Sequence, residues 1–353
     1  MKIIKVLVVD DSALMRRVIS DIIAEHDSLE LVATARDGLD ALKKIESKRP
    51  DVVTMDIDMP RLDGLQTLSM IMAKHPLPVI VLSSHTVSGS ESTLKALEAG
   101  AVDFLPKPSM RSLQESFAEL RDILPSKIIA AASAQVDLIT ETKQSIQIEP
   151  PARPPVTAAP ADEKARVVIA VGASTGGPKA LETFFSNLPA DLPAALLLSQ
   201  HMPPGFTYSF SQRLDLMSQL KVKEAEEGDR LLRGHAFIAP GNYHMIVKDG
   251  AIKLDSGPKV NYVRPSIDVM FHSLRNINQK VLVVIMTGMG RDGADGAQVL
   301  KKSKGDTIII AQDPATALIS SMPEALIRSV PCDAIVPLEK LASEVSRFVR
   351  IMV

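Results

Sequence analysis

One serine stands between glycines, directly after a short apolar run: residues 167–171 lead into Gly172-Ala173-Ser174-Thr175-Gly176-Gly177-Pro178. The β-branched and small apolar residues of the run predict a buried strand. Pro178 predicts the first turn of a helix, where its missing N–H costs nothing. Ser174 then falls on a strand-to-helix turn whose glycines permit a strained backbone and close approach of a substrate. The N–H groups of the helix start favour a developing negative charge. A phosphate-cradling P-loop would need lysine where Pro178 stands, and a dinucleotide fingerprint would need glycine where Ser174 stands. A nucleophile turn, G-x-S-x-G, is satisfied. A tight turn with a capping serine satisfies it too, so the chemical reading requires a histidine and an acid.

Four histidines, His201, His235, His244 and His272, lie beyond that serine. His201 follows a second apolar run, 195–199, within Gln200-His201-Met202-Pro203-Pro204-Gly205-Phe206-Thr207. It is therefore predicted at the same sheet edge as Ser174. His244 falls in a hairpin pattern and His272 on a helix, where packing roles are the ordinary reading, and His235 falls in a turn. A third run, 281–286, leads into Thr287-Gly288-Met289-Gly290-Arg291-Asp292-Gly293. Asp292 is either the acid of the site or only the cap of the helix that follows. The bare N–H groups of this turn make Met289 a candidate oxyanion donor. An α/β-hydrolase places its histidine last, but here no histidine follows 272. The order would be Ser174, His201, Asp292, another route to the same geometry.

A second constellation lies in the first half. Asp10 and Asp11 follow the run 3–9, Asp56 follows 52–55, Ser83 and Ser84 follow 79–82, and Lys107 follows 101–104. Carboxylates converging at strand ends repel one another unless a cation intervenes, and hard oxygen ligands suit Mg²⁺. A lysine alongside suits phosphate. Asp56 could then act as a nucleophile on a phosphoryl group. Taken singly, each of these residues could equally be a helix cap or a solvated loop end.

Elements that alternate between strand and helix must position these residues. Helical patterns at 14–24, 38–47, 64–73, 90–99 and 113–124 separate the first-half strands, with a further strand at 31–33, so five βα units and a parallel sheet are expected. Ligands bind such sheets at the carboxyl ends of their strands. After Pro125 the composition shifts, and Pro150-Pro151-Ala152-Arg153-Pro154-Pro155 reads as an extended tether. The second half has strand patterns at 167–171, 195–199, 236–238, 244–247, 252–254, 281–286 and 307–310, and helical ones at 179–187, 206–217, 267–276, 294–302 and 338–351. Gly241-Asn242 and Asp249-Gly250 read as hairpin turns. The expected fold is α/β with two doubly wound domains, the second α/β hydrolase-like with a mostly parallel sheet and an antiparallel patch. Expected domains are residues 1–124 and 166–353, joined by a proline-rich linker at 125–165.

Composition sets the outer bounds. The chain has 353 residues, 46% of them hydrophobic, and a net charge of -2, so nothing favours nucleic acid or an anionic membrane. One cysteine, Cys332, allows no internal disulfide and fits a reducing compartment. The apolar run at 3–9 is too short for a signal segment or a membrane span. A cytoplasmic monomer without membrane insertion is expected.

Leu7-Val8-Val9-Asp10-Asp11-Ser12, Met55-Asp56-Ile57-Asp58-Met59-Pro60 and Asp103-Phe104-Leu105-Pro106-Lys107-Pro108 resemble the motifs of response-regulator receiver domains. The resemblance implies a (βα)5 receiver in which a histidine kinase phosphorylates Asp56. Asp10, Asp11, Asp56 and the carbonyl of Asp58 would hold Mg²⁺, while Ser83 and Lys107 would bind the phosphoryl oxygens. Phe104 would be the aromatic switch residue. The segments around Ser174, His201 and Asp292 resemble the catalytic domain of the CheB family of chemotaxis protein-glutamate methylesterases. That implies a Ser174, His201, Asp292 triad lined by Thr175 and Met289, needing no cofactor of its own. It would demethylate glutamate methyl esters, and deamidate certain glutamines, on methyl-accepting chemoreceptors. The competing expectation is a receiver joined to a non-catalytic binding domain.

Overall fold

In the computed structural model, residues 3–84, 87–108, 113–134 and 163–353 are described. The chain divides into two units, Met1–Ile146 and Gln147–Val353.

Near-continuous apolar runs become strands buried on both faces, as parallel sheets require. The first unit alternates β1 (Ile4–Val9), α1 (Ala13–Ala24), β2 (Leu29–Ala35), α2 (Gly38–Lys48), β3 (Val52–Asp56), α3 (Gly64–Lys74), β4 (Val79–Ser83), α4 (Val87–Glu98), β5 (Asp103–Pro106) and α5 (Leu113–Ala132). Its parallel sheet has the order β2-β1-β3-β4-β5. The order reverses direction between β1 and β3, the position at which such sheets bind ligands. Ser12, Asp37 and Asp63 start α1, α2 and α3 with side chains that accept a first-turn N–H. One expectation changes: α5 does not stop before Pro125 but runs through it to Ala132. A proline costs one helical hydrogen bond, but Leu124, Ile128 and Ala131 are wholly buried at helical spacing. Packing on both sides of the proline carries the helix on. The rest of the expected linker lies almost entirely outside the described residues.

The second unit contains β6 (Val167–Ala173), α6 (Gly177–Ser186), β7 (Ala194–Gln200), α7 (Phe206–Met217), β8 (Lys221–Glu224), β9 (His235–Ile238), β10 (His244–Lys248), β11 (Ala251–Asp255), α8 (Ile267–Ser273), β12 (Lys280–Ile285), α9 (Ala294–Ser303), β13 (Ile308–Gln312), α10 (Ser321–Ser329), β14 (Ala334–Val336) and α11 (Leu338–Met352). Seven strands form one parallel sheet in the order β14-β13-β12-β6-β7-β9-β8. β6 lies between β7 and β12, so the direction of winding reverses beside it. Apolar side chains of these strands, among them Val168, Leu197 and Val283, meet Met270 and Phe271 of α8 in the core.

The antiparallel patch is a separate two-stranded sheet, β10 and β11. Asp249 and Gly250 make its turn with φ of 54° and 78°, as a two-residue hairpin demands. Gly241-Asn242 is not a hairpin turn. It links β9, inside the large sheet, to β10, outside it, and Gly241 packs against the backbone of Pro203 and Pro204. Among the described residues, no helix is long and apolar enough to cross a membrane.

Candidate active site

β6 delivers Ser174, β7 delivers His201, and β12 leads into the turn that holds Asp292. Because β7 and β12 flank β6, three residues far apart in sequence leave the sheet side by side. Ser174 N–H donates to Thr287 O at 3.0 Å, and its carbonyl accepts Gly177 N–H at 2.7 Å. Gln200 Nε2 donates to that same carbonyl at 3.0 Å and to the His201 carbonyl at 3.1 Å. The turn closes through Gly176 at φ 75°, left-handed backbone that glycine adopts at no steric cost. Gly288 lies so close behind that an added Cβ would stand 2.8 Å from Ser174 Cβ and 2.1 Å from Met322 Sδ.

Ser174 Oγ lies 3.1 Å from His201 Nδ1, and His201 Nε2 lies 2.8 Å from Asp292 Oδ2. A carboxylate only accepts hydrogen bonds, so the neutral imidazole carries its proton on Nε2 and turns the Nδ1 lone pair toward the serine. Exposure falls inward, from 12% for the His201 side chain to 4% for that of Asp292.

Asp292 is not the cap of its own helix: Gly293 takes that position before α9. Its carboxylate instead receives the first-turn N–H groups of α8. Ile267 N–H donates to Oδ2 at 2.7 Å, and Asp268 N–H and Ser266 Oγ donate to Oδ1 at 3.1 and 2.9 Å. Burial opposes the charge, but His201 and these N–H groups outweigh it and hold the carboxyl well below the usual carboxylate range. Asp268 has the opposite balance: burial, then the Asp292 charge, pushes it up to about 7. Ser266, Asp268 and Gln200 were not singled out from sequence. The available signal, Ser266 and Asp268 opening a helical pattern, reads only as a local cap.

The other three histidines of this unit lie away from Ser174. His244 is buried, accepts Ser266 N–H at Nδ1 and donates from Nε2 to Pro258 O. His235 Nδ1 contacts Arg233 O. His272 lies on α8, and burial, then Arg275, lowers its basicity. Thr175 is buried beside Ser174, and its carbonyl accepts Thr287 Oγ1 at 3.0 Å. Gly288 and Gly290 donate to Ile319 O and Ser321 Oγ, while Met289 N–H between them has no partner among the described residues.

In the first unit, Lys107 Nζ lies 2.6 Å from Asp56 Oδ2 and 3.2 Å from Asp10 Oδ2. Asp10, Asp11 and Asp56 bring carboxylate oxygens within 4.8 Å of one another. Burial raises Asp56 to about 6, with Lys107 pulling against it and Asp10 adding to it. Asp58 N–H donates to Asp56 Oδ1 at 3.1 Å, and the exposed Asp58 side chain lies outside the cluster. Ser83 is buried and donates to Gly89 O at 3.0 Å. Phe104 is buried in β5.

Fold and sites together define a two-unit α/β protein, with an aspartate–lysine site of receiver type followed by a Ser–His–Asp site of hydrolase type. Residues 6–118 match the response regulator receiver domain, and residues 169–345 match the CheB methylesterase. A relative from Pyrococcus horikoshii, named protein-glutamate methylesterase/protein-glutamine glutaminase, is 45% identical over 99% of this chain and 94% of its own. One of the same name from Geobacillus kaustophilus is 45% identical over 99% of both chains. Among solved structures, the Thermotoga maritima CheB methylesterase catalytic domain is 37% identical, covering 52% of this chain and 99% of its own with a TM-score of 0.49. The chain belongs to the CheB methylesterase family and carries the family's receiver domain in front.

Proposed function

We propose that the chain is a phosphorylation-activated serine hydrolase that demethylates glutamate methyl esters, and deamidates particular glutamines, on chemoreceptors. The observation that carries this reading is the unbroken hydrogen-bond line from Ser174 Oγ through His201 to Asp292. The names of the relatives support methylated glutamates and glutamines of a protein as the groups acted on.

Ser174 Oγ attacks the γ-carbonyl carbon of the ester while His201 Nδ1 takes its proton. Asp292 holds the imidazole and stabilises it once charged. The Met289 N–H donates to the oxyanion, and Thr175 lines the site. His201 then gives the proton to the departing methoxide, so methanol leaves and the glutamyl group stays on Ser174. Water, deprotonated by His201, cleaves that ester to release the carboxylate and restore Ser174. With a glutamine side chain the leaving group is ammonia.

Asp56 is the proposed phosphorylation site and a histidine kinase the phosphodonor. Its carboxylate, held by Lys107, attacks the phosphorus of the kinase's phosphohistidine, the P–N bond breaks and the imidazole leaves, and Lys107 then pairs with the phosphoryl oxygens alongside Ser83. The oxygens of Asp10, Asp11 and Asp56 suit Mg²⁺, with the Asp58 carbonyl as a further ligand, and the ion would neutralise charge on the phosphoryl group. Phosphorylation raises hydrolysis by shifting the population of units competent for substrate. A cytoplasmic monomer fits this role.

A binding output domain has no use for an activated serine. Treatment with a fluorophosphonate, followed by peptide mass analysis, should place one adduct on Ser174 and none in His201→Gln at the same exposure. An unlabelled wild type would return the chain to the binding reading.

A further inference from the structure

We propose that Asp268 is a positioning residue for the hydrolysis: a second buried carboxyl group that fixes Asp292 by exchanging helix caps with it. This rests on the roles given above to Ser174, His201 and Asp292.

The exchange is reciprocal. Asp292, just before α9, accepts the N–H groups of Ile267 and Asp268 at the start of α8. Asp268, in the first turn of α8, accepts the N–H groups of Gly293 and Gly296 at the start of α9, both on Oδ1 at 2.9 and 2.6 Å. Each carboxyl group therefore caps the helix that begins beside the other. α9 can approach because residue 296 is glycine: a Cβ there would stand 2.9 Å from Asp268 Oδ1 and from its backbone.

A third residue ties the pair. Asn261 Nδ2 lies 3.1 Å from Asp268 Oδ2 and 3.4 Å from Asp292 Oδ1. Asn261 and Tyr262 have φ of 54° and 66° in a tight turn closed by reciprocal Val260 and Val263 hydrogen bonds. Asparagine tolerates that left-handed backbone better than most residues. The segment holds a backbone strain that presents one amide to both acids.

Capping α9 alone would not need a carboxyl group. Serine or threonine accepts a first-turn N–H without the repulsion of a neighbouring carboxylate. Asp268 bears that repulsion while 6% exposed, and burial with the Asp292 charge favours its protonated form. What the carboxyl adds is reach: two oxygens that engage α9 and Asn261 at once. These bonds lock the α8 start, whose N–H groups keep Asp292 Oδ2 at 2.8 Å from His201.

The test uses the full chain and methanol release from methyl-esterified receptor membranes, with kcat expressed per fluorophosphonate-titrated site so that misfolded protein does not count. Asp268→Ser keeps a capping hydroxyl but loses the reach. It should lower kcat about 10- to 100-fold, by analogy with the loss when hydrogen-bonded partners of metal ligands are removed, with KM within about twofold of wild type. Asp268→Asn keeps an oxygen for Gly293 and Gly296, and its new NH₂ can donate to Asn261 once that amide turns over, so it should recover most of that loss. The far-downfield proton resonance of His201 Nε2–H should shift in the serine variant and hold in the asparagine variant. A serine variant as fast as wild type would overturn the proposal. So would an asparagine variant below about a tenth of wild type, which decides the matter even if the serine variant yields no titratable protein. Label and activity persisting in Ser174→Ala would overturn the underlying site instead.

Discussion

Replacing Asp292 with asparagine exchanges one carboxylate oxygen for an NH₂ group and separates orientation from charge. Its Oδ2 receives Ile267 N–H and His201 Nε2–H, while Oδ1 receives Asp268 N–H and Ser266 Oγ–H. Whichever oxygen becomes NH₂ then faces donors. Ser266 can rotate its hydroxyl and His201 can move its proton, but a backbone N–H cannot adapt. Either placement therefore leaves one buried N–H without an acceptor, which costs about 1–3 kcal/mol of stability. The chemistry suffers more. With NH₂ toward His201, the ring proton moves to Nδ1, facing Ser174, and no base remains. With the oxygen toward His201 the tautomer survives, but the imidazolium loses a charge partner worth about 4 kcal/mol at close range near a protein surface. Both routes lower kcat by about 10³- to 10⁴-fold. Methanol release and urea melts of Asp292→Asn measure the two effects. A kcat within about tenfold of wild type, together with unchanged stability, would refute the reasoning.

Two further outcomes follow from the same geometry. Gly288→Ala drives a methyl group toward Met322 Sδ and Ser174 Cβ. It should cost about 1–3 kcal/mol from overpacking and up to about 100-fold in kcat from displacing the nucleophile. Normal methanol release would show that Ser174 is not held from behind. The buried acids also give a pH signature. Asp268 rises from 3.8 to about 7 in the fold, so the folded state keeps a proton the unfolded chain releases, and stability is lost as pH climbs through that window. Asp292 is depressed, so its contribution is present above 3.8 and lost as pH falls further. In thermal melts, Asp268→Asn should gain on wild type as pH rises from about 4 to about 7. A difference that does not change with pH would contradict the shift assigned to Asp268.

Much of the fold is legible because strands buried on both faces must be apolar throughout. β1, β3, β4, β6, β7 and β12 all announce themselves, and polar residues immediately after such runs must lie at the sheet's carboxyl edge. Ser174, His201 and Asp292 could be placed for that reason, and the structure brings His201 within hydrogen-bond distance of both the others. Elements without that signature escaped. β8, Lys221-Val222-Lys223-Glu224, is an edge strand and charged as edges tend to be. β14 is three residues on the opposite edge, and α10 opens with Ser-Met-Pro. Pro125 reads as a stop because local propensity knows nothing of the core that holds Leu124 and Ile128. The support behind Asp292 was illegible for a different reason. Ser266 and Asp268 reach it across 26 and 24 residues, through the meeting of two helix starts that no local pattern encodes.

The measurement that bears most directly on the account is methanol release from methylated receptor membranes, with and without a small phosphodonor and Mg²⁺. Wild type should release methanol and accelerate with phosphodonor. Asp56→Asn should keep the basal rate and lose the acceleration, and Ser174→Ala should lose both. Release that continues in Ser174→Ala would put the nucleophile elsewhere and contradict the account.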